Sequence, residues 1–205
     1  MALTLTGLYD EDRMDIATVF SPFPHLDTER LLLRALRPAD LDDLYAYAAD
    51  PELARHTEWD HYASRDEAAA DLDGYLRRYD RTEQPLPVWG IEHRADRRLI
   101  GICNISRWWI EDRRAEIGYA VSRRYWGHGM AVEAARAMID FGFSRMGLMR
   151  IQATCLPINQ PSQRVMLKLG LRHEGRLRAY ETWAGAAQDL EMYAITRGDW
   201  EAEKG

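Results

Sequence analysis

The stretch Glu116-Ile-Gly-Tyr-Ala-Val-Ser-Arg-Arg-Tyr-Trp-Gly-His-Gly-Met-Ala131 holds the most informative spacing in the chain: a strand-like run enters a turn containing Gly127 and Gly129, then a helical pattern. Glycines beside a helix start let a ligand approach the backbone closely and leave the first N–H groups of the helix without intrahelical partners. Together with the partial positive charge of the helix end, those amides make an anion site suited to a pyrophosphate. The same two glycines would also serve a plain tight turn. Neither the P-loop nor the dinucleotide fingerprint fits, because no Lys-Ser/Thr pair follows and the initial glycine is missing at the required spacing. Cys103 and Cys155 lie in the apolar runs IGICNI and IQATCL without CxxC spacing, so they read as buried thiols, and no metal is expected. The loop Arg55-His-Thr-Glu-Trp-Asp-His-Tyr62 brings together His56, Glu58, Trp59, Asp60 and His61. These could surround a cationic amine with carboxylates and an aromatic face, or form a solvated loop anchored by one tryptophan.

Positioning these residues requires a framework, and the periodicities supply one. Thr28 to Leu36 suits a first strand, and Pro38 opens a helix through about Ala49 on the apolar set Leu41, Leu44, Tyr45 and Ala48. Ser64-Arg65-Asp66-Glu67 is a capping-box sequence before a helix that ends near Asp80, and Pro85 and Pro87 mark the turn that follows. Val88 to His93, Arg98 to Arg107 and Arg114 to Ser122 read as an antiparallel meander. Helical spacing then runs from Gly127 to Met146, followed by a strand over Met149 to Leu156 and a short helix over Pro161 to Leu169. A hairpin of Leu171 to Trp183 with Asp189 to Arg197 completes the pattern. Trp108 and Trp109 face opposite sides if extended, so at most one lines a pocket.

The 205 residues, 46% hydrophobic and 29% charged, exclude disordered, collagenous and disulfide-framework classes. A formal charge of −6 disfavours a nucleic-acid surface, and a cationic substrate fits better. Acidic residues interrupt the amino terminus, so no signal peptide is read, and no apolar run reaches the roughly 20 residues of a membrane span. A cytoplasmic protein follows as the expectation. Residues 1–27 read as an irregular arm, 28–200 as one domain and 201–205 as a tail, with a homodimer through the arm or final hairpin left open.

Arg124-x-x-Gly127-x-Gly129 is similar to the R/Q-x-x-G-x-G/A acetyl-CoA motif of the GNAT N-acetyltransferase superfamily. Asn159-Gln-Pro-Ser162 and Lys168-Leu-Gly170 resemble the N-x-x-S and K-L-G signatures of its RimJ/RimL-type branch. The likeness spans about Thr28 to Asp199, departing at Leu171, where phenylalanine is usual, and in a longer amino-terminal arm. It implies an α/β (α+β) fold with a mixed, mostly antiparallel sheet of about seven strands and about four helices, in which a splayed strand pair forms the cofactor cleft. It also implies acetyl transfer from acetyl-CoA to an amine, which could be a protein N-terminus or a small molecule. A silent CoA-binding sensor of the same fold is the alternative.

Carried onto this chain, the resemblance implies that backbone amides of Trp126, Gly127, His128, Gly129, Met130 and Ala131 cradle the pyrophosphate, with Arg124 nearby. Tyr119 to Val121 pair with the pantetheine arm, and Asn159 bonds it. Ser162 serves the departing thiolate, while Glu181, or its rival Glu116, is the base. For the oxyanion, a backbone N–H around Ala120 is the candidate, because a fixed amide needs no reorganisation. A terminal amine, with a reference pKa of about 7.7–8.0 against about 10.4 for lysine, needs little help from any base.

Overall fold

The computed structural model describes residues 19–57, 59–79, 87–183 and 185–205. Among these, the strands are β1 (Leu26–Asp27), β2 (Leu31–Arg34), β3 (Val88–His93), β4 (Arg98–Trp109), β5 (Arg114–Val121), β6 (Arg150–Cys155), β7 (Arg172–Trp183) and β8 (Ala186–Thr196). The helices are α1 (Leu41–Ala48), α2 (Pro51–Ala54), α3 (Arg65–Tyr79), α4 (Met130–Ser144), α5 (Gln160–Lys168) and α6 (Arg197–Ala202). The strands form a single sheet in the order β1-β2-β3-β4-β5-β6-β8-β7. Every neighbouring pair is antiparallel except β5 and β6.

The meander lies where the sequence pattern puts it, and the eighth strand and two extra helices are the departures. β1 is two residues long, too short for a hydropathy period, and exists because Leu26 pairs with Leu33. α2 and α6 are defined by their caps: Asp50 accepts from the Glu52 amide and Pro51 opens α2, while Thr196 and Asp199 form a capping box at α6. α4 begins at Met130 and not at Gly127, since both glycines adopt left-handed backbone that a helix cannot use. The expected end of α3 at Asp80 and the turn at Pro85 fall outside the described residues.

Apolar side chains divide between two faces of the sheet. Trp89 and Ile91 of β3 pack with Ala134, Ala135, Met138 and Ile139 of α4, whereas Val88, one residue out of phase, packs with Leu44 and Leu72 of α1 and α3. Removing a fully buried side chain such as Ile139 by alanine substitution costs about 2–5 kcal/mol. Before β1, Phe20 and Phe23 stack against Trp89, whose indole N–H donates to the Pro24 carbonyl at 2.9 Å. No helix among the described residues is long and apolar enough to cross a membrane.

What positions the site is the parting of β5 from β6. Their parallel pairing covers only Arg114↔Arg150, Ala115↔Ile151 and Glu116↔Gln152. Beyond Glu116, β5 continues to Val121 along β4 while β6 continues to Cys155 along β8, so the two facing edges lose each other as hydrogen-bond partners.

Candidate active site

At the open end of β5 the chain turns through Arg123–Tyr125 into Gly127 and Gly129, with φ of 77° and 80°. Only glycine adopts this backbone without strain. A Cβ at Gly127 would meet nothing within 4 Å, so the surface above the turn is open. Gly129 is the N-cap of α4 and supplies no side chain, which leaves the first-turn amides facing outward without a cap. The turn is braced from behind. Arg30 donates through Nη1 to the His128 carbonyl at 2.9 Å and through Nε to Glu133 at 2.7 Å. Glu133 also accepts from the Thr28 hydroxyl and the Arg30 amide. His128 turns its ring back onto the Trp126 carbonyl at 2.8 Å.

Two cavities meet at this splay. One, of ≈ 380 Å³, runs from Trp126, Gly127, Gly129, Met130 and Ala131 past Tyr119, Ala120 and Val121, with Arg164 and Lys168 along one wall. The other, of ≈ 370 Å³, is lined by Trp59, Tyr75, Trp183, Asn104, Arg107 and Glu116, among others. Both are bounded by His56, Thr57, Tyr119, Ala120, Asn159 and Ser162. Arg124 is exposed and lies outside both linings, as does the His128 side chain. Arg123 is bound to Asp50 at 2.7 Å, the residue that also caps α2.

Backbone direction along β5 follows from alternation. Ser122 N–H donates to the Ile100 carbonyl, towards β4, while the Val121 carbonyl accepts from the Trp126 indole at 2.7 Å on the opposite edge. Residues opposite one another in an antiparallel ladder alternate in exchanging hydrogen bonds, so Ala120, opposite Ile102, directs its amide at β4. Tyr119 and Val121 direct theirs into the splay.

Asn159, not Ser162, caps α5: its side-chain oxygen accepts the Ser162 amide at 3.0 Å, and its Nδ2 donates to the His56 carbonyl at 2.7 Å. The Ser162 hydroxyl is therefore free of the capping duty that its position allows, and lies 3.1 Å from the Tyr119 hydroxyl.

Glu116 and Glu181 are joined by Arg107. Glu116 is 5% exposed and accepts from Gln152 at 2.9 Å and Thr154 at 3.1 Å, with Arg107 Nη1 at 3.7 Å. Glu181 accepts from Arg107 Nη2 and from the Trp183 indole. Burial opposes the charge of Arg107, yet Glu181 and Glu116 outweigh it and hold the guanidinium above its ordinary pKa. A register shift between Leu177 and Glu181 precedes these side chains on β7; there Ala179 sits at φ 47° with its N–H bound to Asp189. Arg107 and Trp183 were not singled out from the sequence, and nothing local to either marks it. Neither Trp108 nor Trp109 lines either of these two cavities: Trp108 packs on Phe20 and Trp109 lies under Arg114. Of the polar loop, His56 and Trp59 reach the linings, Asp60 and His61 do not, and Glu58 lies outside the described residues.

A sheet parted in mid-strand beside an uncapped, glycine-led helix makes a groove suited to an extended ligand with an anionic end. The sequence profile described as acetyltransferase (GNAT) domain matches residues 30–172. The uncharacterized N-acetyltransferase YoaA of Bacillus subtilis (strain 168) is 33% identical over 175 residues, covering 85% of this chain and 98% of that protein. The [ribosomal protein uS5]-alanine N-acetyltransferase of Escherichia coli (strain K12) is 26% identical over 185 residues, 87% of this chain and 94% of that one. Among solved structures, the acetyltransferase (GNAT family) from Bacillus anthracis superposes with a TM-score of 0.74 at 26% identity, over 85% of this chain and 99% of the other. The chain belongs to the GNAT acetyltransferase family.

Proposed function

We propose that the protein moves an acetyl group from acetyl-CoA to a primary amine by direct attack within a ternary complex, each cavity holding one substrate. The observation that carries this is the junction: a cradle-ended groove and a carboxylate-bearing cavity share one wall, at Tyr119, Ala120, Asn159 and Ser162. The amides from Gly127 to Ala131 would hold the pyrophosphate, with Arg164 and Lys168 beside the groove; the Trp126 amide, expected to join them, is instead bound to the Arg123 carbonyl at 3.0 Å. The Tyr119 C=O and Val121 N–H on this edge fit the amides of pantetheine as an added strand would, the Val121 C=O being taken by the Trp126 indole. Asn159 supports this wall by holding α5 to the loop at His56. By the same alternation, the Tyr119 N–H, flanking Ala120 on the side away from the glycine turn, is the donor offered to the oxyanion.

Acyl transfer needs a neutral amine, oxyanion stabilisation and a proton for the leaving sulfur. Glu116, in the cavity wall, takes the amine proton directly or through water, and Glu181 sets the Arg107 guanidinium beside it. Ser162 hands its proton to the sulfur as the C–S bond breaks and regains one from protonated Glu116 through water in the cavity both line, so the net proton passes from nitrogen to sulfur. The acceptor is a primary amine, either a protein N-terminus, the E. coli relative being named for an alanine of ribosomal protein uS5, or a small molecule entering between Trp59, Tyr75 and Trp183. Thiol release from acetyl-CoA across a panel of N-terminal peptides and small amines tests this. Amine-dependent release that falls in Ser162→Ala supports the reading. CoA binding with no amine-dependent release would replace it with a CoA-binding sensor.

A further inference from the structure

We propose that Tyr119 is a positioning residue for the departing thiol: its hydroxyl donates to Ser162 Oγ and so turns the serine proton toward the sulfur. This rests on the assignment of Ser162 as sulfur donor and adds the residue that aims it. The geometry carries it. Tyr119 Oη lies 3.1 Å from Ser162 Oγ, where either oxygen can donate, and 3.3 Å from the Ser162 carbonyl, the more distant of the two acceptors open to the single phenol proton, with both side chains at the wall shared by the two cavities.

A serine hydroxyl has one proton and two acceptor sites, and in the first turn of a helix it ordinarily binds back to the local backbone. Here Asn159 has taken over the cap, so the hydroxyl is spared for another partner. A phenol that donates to Oγ occupies one of its lone pairs, polarises the serine O–H and leaves that proton free to point away from the tyrosine. Burial pushes the Tyr119 phenol above its ordinary pKa, with the serine contact acting in the opposite sense. A phenol that resists ionisation is a fixed donor and a poor proton source. Among the described residues the Cys155 thiol, a soft and weak acceptor, also lies within reach of the Ser162 hydroxyl; burial raises its own pKa to about 12 while the serine contact acts in the opposite sense.

The test is a double-mutant cycle on thiol release at saturating amine, using the whole chain. Tyr119→Phe keeps the ring and removes only the oxygen. It is expected to lower kcat about tenfold or more, with the KM for acetyl-CoA within about threefold of wild type and an unchanged circular dichroism spectrum. Ser162→Ala is expected to lower kcat at least as much, and the double variant to be no slower than Ser162→Ala alone, because the tyrosine acts only through that hydroxyl. Multiplicative losses, or a Tyr119→Phe variant at full kcat while Ser162→Ala is slow, would overturn the positioning role and leave the serine assignment standing. A Ser162→Ala variant at wild-type rate would overturn both. A KM increase without loss of kcat in Tyr119→Phe would reduce the tyrosine to a groove wall and refute the proposal.

Discussion

Replacing Gly127 by alanine is expected to weaken coenzyme A binding far more than replacing Gly129, although both substitutions strain the backbone alike. Both residues hold left-handed conformations, with φ of 77° and 80°. A side chain there is pressed against the following carbonyl at a cost of about 1–2 kcal/mol. For a chain of this size each kcal/mol lowers Tm by about 2–4 °C, so either variant should melt about 2–8 °C below wild type. Their surroundings differ. A Cβ at Gly129 would lie 3.6 Å from the Arg30 guanidinium, behind the turn, whereas at Gly127 it would enter open space along the groove. There it would keep a phosphate oxygen from the adjoining amides. Losing one hydrogen bond to a charged group removes about 1.5–3 kcal/mol. That corresponds to about 10- to 150-fold in Kd. Calorimetric titration with CoA, alongside thermal melts, separates the two effects. Gly127→Ala should lose affinity by that factor while Gly129→Ala stays within about threefold of wild type. Equal CoA affinity in Gly127→Ala and wild type would refute the cradle geometry.

Three further outcomes follow from the site. Glu116→Gln should lower kcat/KM by about 10²-fold or more, within the range of general-base removal, while Glu181→Gln, acting through Arg107, costs less than tenfold; the reverse order in steady-state assays would exchange their roles. Burial opposes ionisation of Glu133, but the Thr28 hydroxyl, the Arg30 amide and the Arg30 guanidinium outweigh it and lower its pKa. A carboxyl depressed in the folded state adds stability above its unfolded pKa, about 4.3, and loses it as pH falls through the folded value. Glu133→Gln should therefore melt below wild type at pH 7, with the gap closing below about pH 4; a gap independent of pH would contradict this assignment. Burial holds the Cys155 thiol up at about 12, so it should resist thiol reagents in the native protein, and Cys155→Ala should retain turnover with no acetyl-enzyme detectable by mass spectrometry.

The elements were legible in the sequence where local periodicity dominates. Val88–His93 and the start of β4 at Arg98 coincide with the expected strands, and α4 differs chiefly at its entry, where two left-handed glycines delay the first turn. The left-handed glycine turn was legible because it lies in a short contiguous motif, and Ser162, from another such motif, sits on the same groove. Arg30 and Arg107 were not, because their partners Glu133 and Glu181 stand 103 and 74 residues away in sequence and no spacing rule connects them. Side-chain capping shows the same limit. Ser162 had the local look of a cap, and only the three-dimensional placement of Asn159 between Ser162 and His56 releases it.

The central claim is that the Gly127–Ala131 amides and the unpaired edge of β5 hold one extended ligand. A crystal structure with acetyl-CoA tests it most directly. The account predicts the diphosphate within hydrogen-bonding distance of those amides and the pantetheine amides bonded to Tyr119 and Val121. Density for the ligand outside the β5–β6 splay would contradict it.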